Sequence, residues 1–293
     1  MNYSELLTES AQRVGNNTCM GLDPQLEVLP FSSGDLRNDL NSFFRILFRR
    51  MVLSGLIPAA FKPNIGYYQA LDKPRDEDFS GSLALADVLD MVENFFPGIP
   101  VILDSKRGDI ARSSLNYANE AFDSWQVDAV TVAPYMGSDS VMPFINHTPN
   151  EKGVYVLNRT SNPGGKDLQN LQVTDNEKRS PLYMEVARGI VNYNAGSGSV
   201  GAVVGATNIA ELKDIAAFYA DKSIPLLIPG VGSQGGTATE VLSVLRSVGY
   251  PVELARVNSS SSLTHPWKKA PVPEDWLEMC EANLRSMIED TKV

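Results

Sequence analysis

The sequence predicts an α/β fold, a (β/α)8 TIM barrel spanning residues 1–293 as a single domain. Three observations carry that expectation. Eight short apolar runs recur along the 293 residues. Segments with helix-period apolar spacing separate them. Polar and charged groups sit at the ends of the runs rather than inside them. Short runs that are apolar throughout are what strands buried on both faces require. Strand–helix alternation at this length suggests a closed parallel barrel. A doubly wound open sheet is the alternative.

In order, Thr18–Leu22 is the first strand candidate and ends at Asp23. Asp35–Ser54 follows as a helix, with Leu36, Leu40, Phe43, Phe44, Leu47 and Met51 at three- and four-residue spacing. The strand Ala59–Lys62 ends in a lysine, and the helix Leu83–Phe95 comes next. Val101–Leu103 runs into Asp104 and Lys106, then a helix over Arg112–Trp125. Ala129–Val132 and Val154–Leu157 are the fourth and fifth strands, the latter followed by Arg159, Thr160 and Ser161. The helix Leu182–Asn194, strand Val200–Val204 and helix Ile209–Tyr219 come next. Leu226–Ile228 leads into Pro229-Gly230-Val231-Gly232-Ser233-Gln234, and a helix follows over Thr239–Val248. Leu254–Val257 ends in Asn258-Ser259-Ser260-Ser261-Ser262. The last helix, Glu274–Ile288, begins after Pro271 and Pro273, where helix starts are favoured. In a barrel all these strand ends share one rim, the rim on which barrel active sites are built.

Composition narrows the partners. A formal net charge of −10 argues against nucleic acid and anionic membranes, which demand a basic face. It leaves room for a phosphorylated small molecule. Cys19 and Cys280 are far apart and lack metal spacing, so a disulfide framework is not expected. His147 and His265 are the two histidines, too few for a histidine metal site or a Ser-His-Asp triad. Met1–Val14 lacks the apolar core of a signal peptide, and no apolar run approaches the roughly 20 residues of a membrane span. A cytoplasmic protein is expected.

The charged groups suggest a chemistry. Asp104-x-Lys106-x-x-Asp109 alone reads as a surface turn more readily than as a site. Its place after an apolar strand, with Lys62 and Asp23 ending two others, brings two lysines and up to three carboxylates to one rim. A lysine beside carboxylates stays protonated and can act as a general acid toward a developing carbanion. A carboxylate aimed at a substrate carboxylate would favour that group's departure. Pro229–Gly236 is a glycine-rich turn opening a helix, a setting in which backbone N–H groups can cradle phosphate. It lacks the Gly-Lys-Ser/Thr of a Walker A loop.

At these residues the chain resembles the orotidine 5′-phosphate decarboxylase family, in its longer bacterial form. The matching segments are Gly21–Pro24, Phe61–Asn64, Leu103–Ile110, Thr131–Gly137, Ser161–Gly164, Pro229–Gly236 and Val257–Ser260, in order along nearly the whole chain. The resemblance implies a homodimer with shared active sites that converts orotidine 5′-phosphate to uridine 5′-phosphate without metal or cofactor. It implies a catalytic array of Lys62, Asp104, Lys106 and Asp109. Asp104 would face the leaving carboxylate and Lys106 would protonate C6. Asp109 would reach the partner's site with Ile110 and Ser113 beside it. Asp23 and Lys62 would hold the ribose, Ser161 the pyrimidine edge, and Gln234 would bridge base and phosphate. Pro229, Gly232, Ser260 and Ser261 complete the expected substrate contacts, and Asn158–Lys178 would be a loop closing over them.

One position departs from the family. Ser261 stands where an arginine commonly binds phosphate. Arg256 is near but within a strand, leaving Gly232, Gln234, the Asn258–Ser262 amides or Lys268 and Lys269 as substitutes. Two other functions fit a barrel of this kind. One is a metal-dependent sugar-phosphate decarboxylase or aldolase, disfavoured by Lys62. The other is a nucleotide-binding barrel without catalysis.

Overall fold

A computed structural model describes every residue except 148, 176–177, 196 and 233–235. Its centre is an eight-stranded parallel sheet. The strands are β1 (Thr18–Gly21), β2 (Ala60–Lys62), β3 (Ile102–Arg107), β4 (Ala129–Val132) and β5 (Gly153–Arg159), then β8 (Val200–Val204), β9 (Leu226–Ile228) and β10 (Ala255–Ser259). Between β5 and β8, β6 (Gln172–Asp175) and β7 (Lys178–Pro181) form a separate antiparallel hairpin. The large sheet runs β2-β1-β10-β9-β8-β5-β4-β3. Its two outer strands meet through bridges between Phe61 and Val101 and between Asn64 and Asp104, which closes the barrel. The Phe61 amide donates to Pro100 O at 3.0 Å and the Asp104 amide to Pro63 O at 2.9 Å. The open-sheet alternative is thereby set aside.

Burial follows the apolar runs. β1, β2, β4, β8, β9 and β10 are buried at every position, as parallel strands covered by helices must be. Helix Leu36–Leu53 starts at Asp35, whose side chain accepts from the Asn38 amide, and buries Leu40, Phe43, Phe44, Leu47, Phe48 and Met51. Phe48 meets Phe61 of β2 and Phe96 with ring centroids 5.7 and 5.3 Å apart, which locks this helix against the barrel wall.

Two segments differ from the sequence expectation. The polar N-terminus forms a helix, Tyr3–Val14, started by a capping box between Asn2 and Glu5. It covers the N-terminal end of the barrel: Ser10 Oγ donates to Ala59 O at 2.8 Å, and the Arg256 guanidinium donates to Leu7 O at 2.6 Å. Asn158–Lys178 is not one loop. β5 continues through Arg159, which donates to Glu211 at 2.7 Å, and a helix Gly165–Gln169 precedes the hairpin. Gln169 organises the intervening turn by accepting from the Thr160 amide at 2.9 Å.

Candidate active site

Three charged side chains join at the C-terminal rim. Lys62 closes β2, and Asp104 lies on β3 where the two strands are bridged, so their side chains enter the barrel mouth together. Lys62 Nζ donates to Asp104 Oδ2 at 2.9 Å and Lys106 Nζ to Oδ1 at 2.6 Å. Lys62 and Asp104 are buried, whereas the Lys106 side chain is 47% exposed and free to meet a ligand. Burial works to lower Lys62, but Asp104, and Asp23 behind it, outweigh it and hold the ammonium above its ordinary value. Burial works to raise Asp104, and the two lysines hold its carboxyl well below the usual carboxylate range. The buried Lys62–Asp104 pair is therefore ionised at neutral pH.

The charged motif is not a turn after the strand, as its sequence suggests. It is the end of β3, which runs to Arg107 with a register shift against β4 between Leu103 and Arg107. Lys106 there has φ +48°, a left-handed backbone that costs a side-chain-bearing residue about 1–3 kcal/mol. Thr131 on β4 holds it. Its hydroxyl accepts from the Ser105 and Lys106 amides at 3.1 and 3.0 Å and donates to Asp104 Oδ1 at 2.9 Å. One hydroxyl thus fixes both the carboxylate and the backbone of the second lysine. Thr131 was not among the expected site residues. Its place one residue before the end of an apolar run was the available signal.

The array opens into a cavity of about 470 Å³. Asp23 lines it and accepts from the Asn64 amide at 3.0 Å, which fixes the carboxylate beside Lys62. Ser161, Pro229, Ser260 and Ser261 line the other walls. Two glycines make this possible. A Cβ on Gly21 would lie 1.9 Å from Ser260 Oγ, and one on Gly205 would lie 2.7 Å from the Ser161 Cα. Gly232 stands just outside the lining, with φ +92° and Ser259 and Ser262 hydroxyls beside it. Gln234 lies outside the described residues. Tyr67 and His265 line the cavity as well and were not foreseen. Larger clefts lie elsewhere, such as one of about 650 Å³ between outer helices, but it collects no strand-end residue.

Asp109, Ile110 and Ser113 do not line this cavity. They lie beyond the rim, where Asp109 Oδ1 accepts from the Ile110 amide at 2.8 Å and Ile110 is 51% exposed. Arg256 is at the opposite end of the barrel. It is fully buried and donates to the carbonyls of Leu7, Ala59, Glu253 and Ala255. Lys268 and Lys269 are exposed and also lie outside the lining. No group of three or more metal-ligating side chains occurs among the described residues. No helix there is long and apolar enough to cross a membrane.

Comparison with known proteins places this geometry. Residues 60–245 match the model of the orotidine 5′-phosphate decarboxylase / HUMPS family. An orotidine 5′-phosphate decarboxylase of Variovorax paradoxus is 36% identical over 289 residues, covering 98% of this chain and 96% of the relative. One of Ralstonia pickettii is 42% identical over 236 residues, 80% of each chain. The structure of Leishmania donovani OMP decarboxylase superposes with a TM-score of 0.71 at 31% identity, covering 99% of this chain and 100% of that one. A Toxoplasma gondii structure described as a putative orotidine-monophosphate decarboxylase gives 0.77 at 27%, covering 98% and 96%. The charged array, the closed barrel that carries it and these matches over most of the chain agree: the protein belongs to the orotidine 5′-phosphate decarboxylase / HUMPS family.

Proposed function

We propose that this chain decarboxylates orotidine 5′-phosphate to uridine 5′-phosphate, without metal or coenzyme, using Lys106 as the proton donor to C6. The observation that carries the reading is the Lys62–Asp104–Lys106 array, with one buried carboxylate held ionised between two ammonium groups. With the substrate carboxylate beside Asp104, loss of CO₂ relieves the opposition of two anions. The electron pair left on C6 faces the Lys106 ammonium, whose attraction grows as that charge develops. The proton then passes from Nζ to C6. Asp104 Oδ1 already receives both Lys106 and Thr131, and Oδ2 receives Lys62, so its lone pairs are directed at protein donors rather than at a metal ion.

The remaining contacts follow from position. Asp23 and Lys62 hold the ribose hydroxyls, Ser161 reads the pyrimidine edge, and the Pro229–Gly232 turn with Ser260 and Ser261 takes the phosphate. Asp109, with Ile110 and Ser113, serves the pocket of a second subunit in a homodimer. Exposed apolar side chains around it support that placement: Ile110, with Tyr135 82% and Met136 45% exposed on the adjoining loop. The test follows loss of orotidine 5′-phosphate absorbance with EDTA present, for the wild type and Lys106→Ala. Turnover by the wild type and its loss in the variant are expected. No turnover by the wild type would refute the activity. Full turnover by Lys106→Ala would refute the proton-donor role, and loss of wild-type turnover with EDTA would refute the metal-free reading.

A further inference from the structure

The cavity has one titratable wall that the charged array leaves unused. His265 follows the short helix Ser261–Thr264 after β10 and is 4% exposed. It lines the cavity with Ser260 and Ser261. Nδ1 lies 2.8 Å from Thr264 Oγ1, while the buried Nε2 has no hydrogen-bond partner in the protein. A buried polar nitrogen left unpaired is costly unless a ligand completes it. The Thr264 hydroxyl has one hydrogen, with Ser260 O at 3.2 Å as the other acceptor. Donation to the nearer Nδ1 leaves the ring hydrogen on Nε2.

Charge shows what that N–H is for. Among the described lining residues the charged side chains are Asp23, Lys62, Asp104 and Lys106, which sum to zero. Both lysines point at Asp104, on the β2–β3 side. The wall from Pro229 to Val231 and Ser259 to Ser261 offers only hydroxyls and backbone, so a phosphate dianion seated there meets no cation from it. Among the described lining residues, His265 is the one on that side able to become cationic.

We propose that His265 Nε2 is the side-chain donor to the substrate's phosphate and that the ring takes up a proton when the dianion binds. This rests on the reading of the cavity as a nucleoside monophosphate site. Burial pushes the imidazole below its ordinary value, against Asp23 and Glu27, which pull it up. Trp267 flanks the ring, and Cys280 from helix Trp276–Asp290 donates to Thr264 O with its thiol pushed up to about 12 by burial, so it stays neutral. A dianion facing Nε2 reverses the direction of the shift.

The chain has two histidines, so imidazole NMR of the intact wild-type protein reads His265 with His147 as an internal control. Saturating uridine 5′-phosphate is expected to raise the His265 pKa by roughly one unit or more. Uridine is expected to leave it in place, and His147 should respond to neither. In parallel, His265→Leu is expected to weaken uridine 5′-phosphate binding roughly 10- to 100-fold, with uridine affinity unchanged. His265→Gln, which restores an N–H, should recover part of the loss. A wild type that turns over orotidine 5′-phosphate but shows no His265 response overturns this inference alone. So does a His265→Leu protein that loses uridine and uridine 5′-phosphate equally. A wild type that binds neither nucleotide overturns the functional reading and this inference together.

Discussion

Thr131→Val removes one hydroxyl from a side chain that is 1% exposed, and keeps its size and branching. The lost bond to the Asp104 carboxylate is of the charge-assisted kind, about 1.5–3 kcal/mol. The Ser105 and Lys106 amides also lose their acceptor. Fully buried, each would cost about 1–3 kcal/mol, but these residues are half-buried and exposed, so water replaces most of that loss. The expected destabilisation is about 2–4 kcal/mol, read as a lower urea midpoint at unchanged slope. The effect on turnover is separate. With φ +48°, the Lys106 backbone is held by this hydroxyl, and a small displacement of its ammonium costs about 10- to 100-fold in kcat. KM should move far less, because ribose and phosphate contacts lie elsewhere. Thr131→Ser, which keeps the hydroxyl, should restore kcat. A valine variant with wild-type midpoint and kcat would refute the reasoning. A lowered midpoint with unchanged kcat would reduce Thr131 to a structural residue.

Three further outcomes follow from the array and the rim. Lys62→Met leaves Asp104 buried with one lysine and should cost about 3–5 kcal/mol, whereas Lys106→Ala, at a half-exposed position, should cost less than about 1 kcal/mol; urea denaturation giving the reverse order contradicts the geometry. The pH window of the buried pair is set by its two directions. Lys62 is raised, so its contribution is complete below about pH 10.4 and declines as pH climbs through the native value. Asp104 is lowered, so its contribution is complete above about pH 3.9 and declines as pH falls from there. The stability gap between wild type and Lys62→Met should thus be flat from about pH 5 to 9, and a change within that window in denaturation series argues against both shifts. Finally, mixing Asp109→Ala with Lys106→Ala subunits, each inactive alone, should recover roughly a quarter of wild-type activity. Half of randomly paired dimers are mixed and each holds one intact site. No recovery in an assay that confirms subunit exchange would place Asp109 outside the neighbour's pocket.

Some of this molecule is local chemistry and was legible in order along the chain. The runs Ala129–Val132, Val200–Val204 and Leu226–Ile228 became strands with the expected bounds, because strands buried on both faces must be apolar at every position. Helices Leu182–Asn194 and Ile209–Tyr219 likewise matched their apolar period. Asp23, Lys62, Asp104 and Lys106 were visible as polar residues ending buried runs, a place they occupy at a cost unless they meet partners. Other elements depend on contacts distant in sequence. Helix Tyr3–Val14 buries Tyr3, Leu7, Ser10 and Ala11 along one face and is secured by the barrel end it covers, through Ser10 and Arg256. Arg256 looked close to the phosphate end by residue number, yet strand direction sends it to the opposite end, where carbonyls satisfy it. The same limit applies at the site. That Asp104 and Lys106 belong to a bulged strand, held by a threonine of the next strand, follows from register between strands 25 residues or more apart. The unpaired nitrogen of His265 is likewise invisible to sequence, since only the packed barrel buries the ring. The sequence determined which residues end strands; the closure of the barrel decided which of them meet.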